Sequence, residues 1–394
     1  MKRIVLALAA VAAVGASAWA PARAQDAVRI AMISTLSGPN AGLGVDIRDG
    51  FALAVEHLGG RMGGRPVQIL EGDDQLRPEV GVQLTERMIE REKVDFVTGT
   101  VFSNVALAMM PTIARNRVFY VSPNAGPSAL AGQQCSPWFF NVAWQNDNNH
   151  EAMGQHMTNA GIRRAYIMAP NYPAGTDALA GFKRYFKGEI VGEVYTPLNQ
   201  LDYAAELAQL RAANPDGVYV FYPGGLGINF VKQYEQAGLA GRVPLFGSAF
   251  TFDQDVLQAL SESVVGTKNT AQWSPDLDNP QNKRFVEAFV AKYNRIPSLY
   301  ASQGYDAALL IDSAVKATGG DLRNKDAVRA ALRKADFPSV RGGFRFNTNH
   351  YPVQTYYLRE IYKDGQGRLT NRVVSPVFQD HADAYVGQCQ MRGS

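Results

Sequence analysis

Hydroxyl and amide side chains gather at a few points of this sequence, each directly after a short apolar run. Ser103 follows the run 94–98 and stands as N-cap of a helical stretch over 103–115, with Phe102 beside it. Ser34-Thr35-Leu36-Ser37-Gly38-Pro39 follows the run 28–33, and Ser122-Pro123-Asn124-Ala125-Gly126 follows the run 118–121. If those runs are parallel strands, these segments lie at strand carboxyl ends, where helix N-termini point and ligands bind. Hydroxyls and free backbone N–H groups collected there can hold a carboxylate without an arginine. A second group, Asn171-Tyr172-Pro173-Ala174-Gly175, Tyr222-Pro223-Gly224-Gly225 and Ser248-Ala249-Phe250-Thr251-Phe252, is aromatic and nearly uncharged. A cleft between the two groups has one polar, hydroxyl-lined side and one apolar, aromatic side. Any one of these segments also fits a well-capped loop; only the set together points to a ligand.

Signals for catalysis are missing from the sequence. It contains no GxGxxG, no phosphate-loop GxxxxGK and no GxSxG elbow. His57, His150, His156, His350 and His381 are scattered. His150 and His156 are too far apart along a helix to share a face as metal ligands at i, i+4 do, and they read as solvated helix histidines. Asp73-Asp74 has no third ligand nearby and reads as a loop or helix-cap pair. No catalytic residue, metal or cofactor is therefore expected.

The elements that position these segments follow from periodicity. A strand over 28–33 leads to an amphipathic helix over 46–58. Strands over 67–70, 94–98 and 118–121 alternate with helices over 78–91 and 103–115, and Pro78 suits a first helical turn. The rhythm restarts with a helix over 147–160 and continues through strands near 165–169, 191–195, 218–222, 244–247 and 267–273. This β-α-β-α order implies parallel sheets covered by helices. Two such units in succession suggest two α/β lobes. Helices over 279–293, 300–317 and 325–333 follow, then a late hairpin of strands over 343–346 and 355–361. Segments 144–147, 274–278 and 347–352, rich in Asn, Asp or Pro, are the candidate crossings between lobes.

The chain has 394 residues, 46% hydrophobic and 19% charged, as a soluble globular protein of two or three domains has. Residues 1–24 read as an export leader: Lys2 and Arg3, an apolar stretch to Trp19, and Ala22-Arg23-Ala24 as the cleavage site. Losing Lys2, Arg3 and Arg23 reduces 39 basic residues to 36, against 36 acidic ones. The mature chain is thus formally neutral, and the precursor's pI of about 8.7 is no argument for nucleic acid. Cys135 and Cys389 would meet an oxidising compartment, where one disulfide or two buried thiols are the alternatives.

The collinear strings TLSGPNAGLG (35–44), EGDDQ (71–75), GTVFSNVALAMMP (99–111), VSPNAGPS (121–128), QGYDAA (303–308) and FRFNTNHYPVQTYYLREI (344–361) resemble the binding proteins of branched-chain amino acid ABC importers. The resemblance covers essentially all of the mature chain. It implies an α/β fold of two Rossmann-like lobes, a type I periplasmic binding protein, with three crossovers and the solute between the lobes. The organisation that follows is a leader over 1–24, a first lobe over 25–145 and 275–348, a second over 146–274 and 349–378, and a tail over 379–394 returning to the first.

Carried over by motif, Ser103 and the loop of Ser122, Asn124, Ala125 and Gly126 face the ligand carboxylate. Leu43 falls where an aromatic wall is common. Asn146 and the Ala249–Phe250 position fall near the two acids that hold an ammonium group in amino-acid binders; Asp147 can replace only one of them. A buried ammonium lacking acceptors is unfavourable by several kcal/mol. With Phe102, Tyr172, Ala174, Tyr222, Gly225 and Phe250, the strings 144–147 and 171–175 look like the subgroup that binds benzoates or phenylpropenoids. An aromatic acid is the expected ligand and a branched-chain or other amino acid the alternative. The expected partner is an inner-membrane ABC permease, with no nucleic acid, and the protein is expected to be a periplasmic monomer. A sensory module without a transporter is the competing class.

Overall fold

The computed structural model describes residues 27–391. The expected leader lies outside them. The first lobe opens with β1 (Val28–Ser34), α1 (Ala41–His57), β2 (Arg61–Met62), β3 (Arg65–Asp73) and α2 (Pro78–Glu86). It continues with β4 (Phe96–Thr98), α3 (Ser103–Arg115), β5 (Phe119–Ser122), α4 (Ser128–Ala131) and β6 (Phe139–Asn141). Its sheet runs β2-β3-β1-β4-β5-β6, parallel except for the small β2–β3 hairpin. β1 is buried almost throughout, as a parallel strand covered on both faces must be.

The second lobe holds α5 (Asn148–Asn159), β7 (Arg164–Pro170), α6 (Pro173–Tyr185), β8 (Glu189–Thr196), α7 (Ala204–Ala213), β9 (Gly217–Val220), α8 (Gly225–Gln236), β10 (Leu245–Ser248), α9 (Gln254–Leu257) and β11 (Lys268–Ala271). The chain then returns to the first lobe through α10 (Pro280–Tyr293), α11 (Leu299–Ala317) and α12 (Lys325–Lys334). It ends with β12 (Arg345–Phe346), β13 (Pro352–Lys363) and β14 (Leu369–His381) in the second sheet, whose order is β12-β13-β11-β10-β9-β7-β8 with β14 beside β13. No helix of the described residues is long and apolar enough to cross a membrane.

Two glycines fix α11 against α1. A Cβ on Gly50 would lie 1.9 Å from the Ala301 carbonyl oxygen, and one on Gly304 2.1 Å from that of Ile47. Only bare backbone permits this approach.

Three expectations are corrected. α1 starts at Ala41, five residues before the expected 46, because Leu43 and Gly44 are buried against the sheet end rather than looped out. The segment near 343–346 shrinks to the two residues of β12, and the long partner of β13 is β14. β14 was missed because it is an edge strand, exposed along much of its length and carrying Arg372, Ser375 and Pro376 in place of an apolar alternation. Ser103 is not the N-cap of α3; Phe102 is, and it makes no side-chain cap.

Candidate functional site

Strand ends from both lobes converge on one enclosed space. The β4–α3 turn brings Val101, Phe102 and Ser103, and the loop after β5 brings Asn124. The crossing into the second lobe brings Trp144 and Asn146. The β7–α6 turn adds Tyr172 and Ala174, the β9–α8 turn Phe221 and Pro223, and the segment after β10 Phe250. Tyr300 enters from the start of α11, and these side chains close tightly around the space.

The polar pole is built around Ser103. Its Oγ accepts from Asn146 Nδ2 at 3.1 Å, which leaves the hydroxyl's own hydrogen for a ligand. Asn146 also donates to Asp177 at 2.9 Å and accepts from the Gly126 N–H at 3.2 Å, which fixes the amide between the lobes. The first N–H groups of α3 and α6 have no partner within their helices, and the positive ends of both dipoles face the space beside Ser103 and Ala174. An anion is favoured there.

The rest is aromatic. Trp144 and Phe250 lie 4.3 Å apart between ring centroids, Phe250 meets Phe221 edge-on at 5.8 Å and Tyr300 at 5.7 Å, and Phe102 meets Tyr172 across the lobes at 6.0 Å. No Asp, Glu, Lys or Arg lines the space. The lobes are closed on it. A Cβ on Gly225 would lie 2.8 Å from the Pro39 carbonyl oxygen, and Ser128 donates to Asp177 through its N–H at 2.9 Å and its hydroxyl at 2.6 Å.

Of the expected residues, Phe102, Ser103, Asn124, Asn146, Tyr172, Ala174 and Phe250 come together. The others stand behind them. Ser122 donates to the Ala125 carbonyl at 2.7 Å and shapes the loop, and Gly126 is packed under Trp144, with no room for a side chain. Leu43 lies 3.4 Å from where a Gly224 Cβ would stand, so it and Gly225 form the lobe contact rather than the lining. Asp147 turns away to Arg184 at 2.8 Å and to the Tyr385 hydroxyl at 2.8 Å; burial, with Asp177 nearby, pushes its carboxyl up to about 7. Tyr222 faces the opposite side of its sheet, bonded to Thr196 at 3.1 Å and stacked on Phe230, while Phe221 takes the lining position. Side chains alternate along a strand, so an assignment one residue off selects the wrong face.

Phe221 and Tyr300 escape the sequence reading as site residues, and Val101, Trp144 and Pro223 enter it only within strings. The alternation of 217–222 was a usable signal for Phe221. Ser298, which accepts the Ala301 N–H as N-cap, marks the helix start that delivers Tyr300.

His150 is not solvated. It is buried behind the cavity wall, edge-on to Phe221 at 4.9 Å and hydrogen-bonded to the Tyr219 hydroxyl. Burial pushes its pKa down to about 3, and burial foremost does the same to His350. Both stay neutral in the folded chain while the unfolded chain protonates below about 6.5. Stability should therefore be lost as pH falls from about 6.5 toward 3, with one proton taken up per histidine on unfolding. Urea unfolding across that range checks this: His150→Gln should flatten the pH dependence, and an unchanged slope would contradict it.

The sequence profile of the periplasmic binding protein family matches residues 27–366. A Leu/Ile/Val-binding protein homolog 6 from Brucella melitensis is 27% identical over 97% of this chain and 98% of its own length. Among solved structures, an ABC transporter solute-binding protein from R. palustris in complex with benzoate is 34% identical, with a TM-score of 0.87, covering 93% of this chain and all of that one. Another, from Rhodopseudomonas palustris BisB5 in complex with 3,4-dihydroxy benzoic acid, is 28% identical with a TM-score of 0.86, covering 91% of this chain and 99% of that one.

Proposed function

The chain belongs to the periplasmic binding protein family, and from that premise we propose that it captures a small aromatic carboxylate for an ABC importer by closing its two lobes around it. The observation that carries this reading is the interlobe space itself: Ser103 at one pole, six aromatic side chains around the remainder, and no acidic side chain in the lining. An amino acid brings an ammonium group into that space, and no lining group carries the charge to hold it. An aromatic acid needs only what the lining supplies: hydrogen-bond donors for the carboxylate and flat apolar faces for the ring. The relatives bound to benzoate and to 3,4-dihydroxy benzoic acid support the same ligand class.

In this reading residues 1–24 are the leader, the mature chain works in the periplasm, and the closed form is handed to an inner-membrane permease. The ligand leaves chemically unchanged. Ser103→Ala removes a hydrogen bond to a charged group and should weaken benzoate binding by about 10–150-fold. Calorimetric titration of the folded variant reads this out. Affinity unchanged by Ser103→Ala would take the hydroxyl out of the site. Tight leucine binding without any response to aromatic acids would replace the reading with amino-acid capture, as the names of the Brucella relatives suggest.

A further inference from the structure

Within the lining, two buried polar atoms lack hydrogen-bond partners: Asn124 Oδ1 and Trp144 Nε1. Asn124 is 6% exposed and Trp144 2%. The orientation of the Asn124 amide is not arbitrary. Its Nδ2 donates to the Val101 carbonyl at 2.7 Å, and a carbonyl can only accept, so the oxygen is the end left over. A buried acceptor without a donor is unfavourable, and native proteins rarely keep one. A benzoate offers acceptors and no donor, so it satisfies Trp144 but leaves Asn124 Oδ1 bare.

Resting on the reading that this cavity takes an aromatic acid, we propose that Asn124 is a specificity-determining residue, its Oδ1 accepting from a hydroxyl on the ligand's ring. The hydroxyl or the carboxylate accepts from Trp144 Nε1. A charged ammonium is the wrong donor, because Asn124 would meet it with a neutral oxygen and no Asp or Glu lines the cavity to balance its charge.

The test is calorimetric titration of the full mature chain with benzoate, the three monohydroxybenzoates and the matching methoxybenzoates. A methoxy group keeps the oxygen and removes the donor. The best hydroxybenzoate should bind about 10–100-fold more tightly than benzoate, and its methoxy counterpart no more tightly than benzoate, because a site built to bond a hydroxyl rejects an analogue that leaves its polar group unpaired. In Asn124→Leu, which replaces the amide by an apolar group of similar size, the ratio of hydroxybenzoate to benzoate affinity should collapse to below about threefold. If that variant does not fold, the comparison of hydroxy and methoxy ligands on the unaltered chain decides alone. Equal affinity for benzoate and every hydroxybenzoate would overturn this inference and leave aromatic-acid capture standing. Binding of leucine with no aromatic acid bound would remove the underlying reading as well.

Discussion

Arg359→Ala should lower the free energy of unfolding by about 3–5 kcal/mol, the usual result of stripping one partner from a buried ion pair. Arg359 lies on β13 and is wholly buried, as is Asp253, whose Oδ1 accepts from its Nη2 at 2.9 Å. The same guanidinium donates to Asn269 Oδ1 and to the Trp273 carbonyl, each at 2.9 Å. The other oxygen of Asp253 takes the Leu299 N–H at the start of α11. One arginine thus joins the second lobe's sheet to the helix that carries Tyr300 into the cavity. Removing it leaves the Asp253 charge buried without its counter-ion and takes a donor from a buried amide oxygen and a carbonyl, and burial already pushes the Asp253 carboxyl upward. Urea unfolding at neutral pH measures the loss through the midpoint at constant m-value. Asp253→Asn added to Arg359→Ala should restore part of it, because the uncompensated charge is then gone. A loss below about 1 kcal/mol in the single variant would show that the pair is not holding the lobes in this way.

How far the sequence foretells this architecture depends on which physical signal each part carries. The parallel strands of the first lobe are legible because a strand buried on both faces must be a nearly unbroken apolar run, as Val28–Ser34 is. The hydroxyl and amide residues at strand ends are legible because little else suits a helix N-terminus facing a ligand. Arg359 is not legible. An arginine between Leu358 and Glu360 reads as solvent-facing, and only the meeting of β13 with β11 and the Asp253 loop buries it. His150 fails for the same reason: a histidine beside Asn149 and Glu151 signals an exposed helix turn, yet the crossing segment covers that turn. Tyr222 and Phe221 fail on register alone. Local composition thus locates the site to within a loop, while the face and the burial are decided by contacts distant in sequence.

Reduction of the Cys135–Cys389 bond should destabilise the chain by about 2–5 kcal/mol in the chain-entropy account. The two cysteines are 254 residues apart and bonded in this structure, so the cross-link closes a loop over the greater part of the unfolded chain. The tail it anchors touches both lobes. Cys135 lies between α4 and β6 of the first, while the Tyr385 hydroxyl donates to Asp147 of the second and accepts from Arg184 at 3.2 Å. Asp383 accepts at 2.9 Å from Asn349, which lies between β12 and β13. Thermal unfolding with and without reductant should show a lower midpoint on reduction. A Cys135→Ala, Cys389→Ala double variant should match the reduced protein and ignore reductant. Its sign follows from the unfolded state: the bond removes conformations from the open chain more than from the folded one, so breaking it favours unfolding. Titration of two free thiols in the unfolded, unreduced protein would contradict the bond itself. Equal midpoints with and without reductant, with the bond shown to be broken, would mean that contacts such as Tyr385 with Asp147 hold the tail unaided and that the unfolded chain gains little freedom from the break.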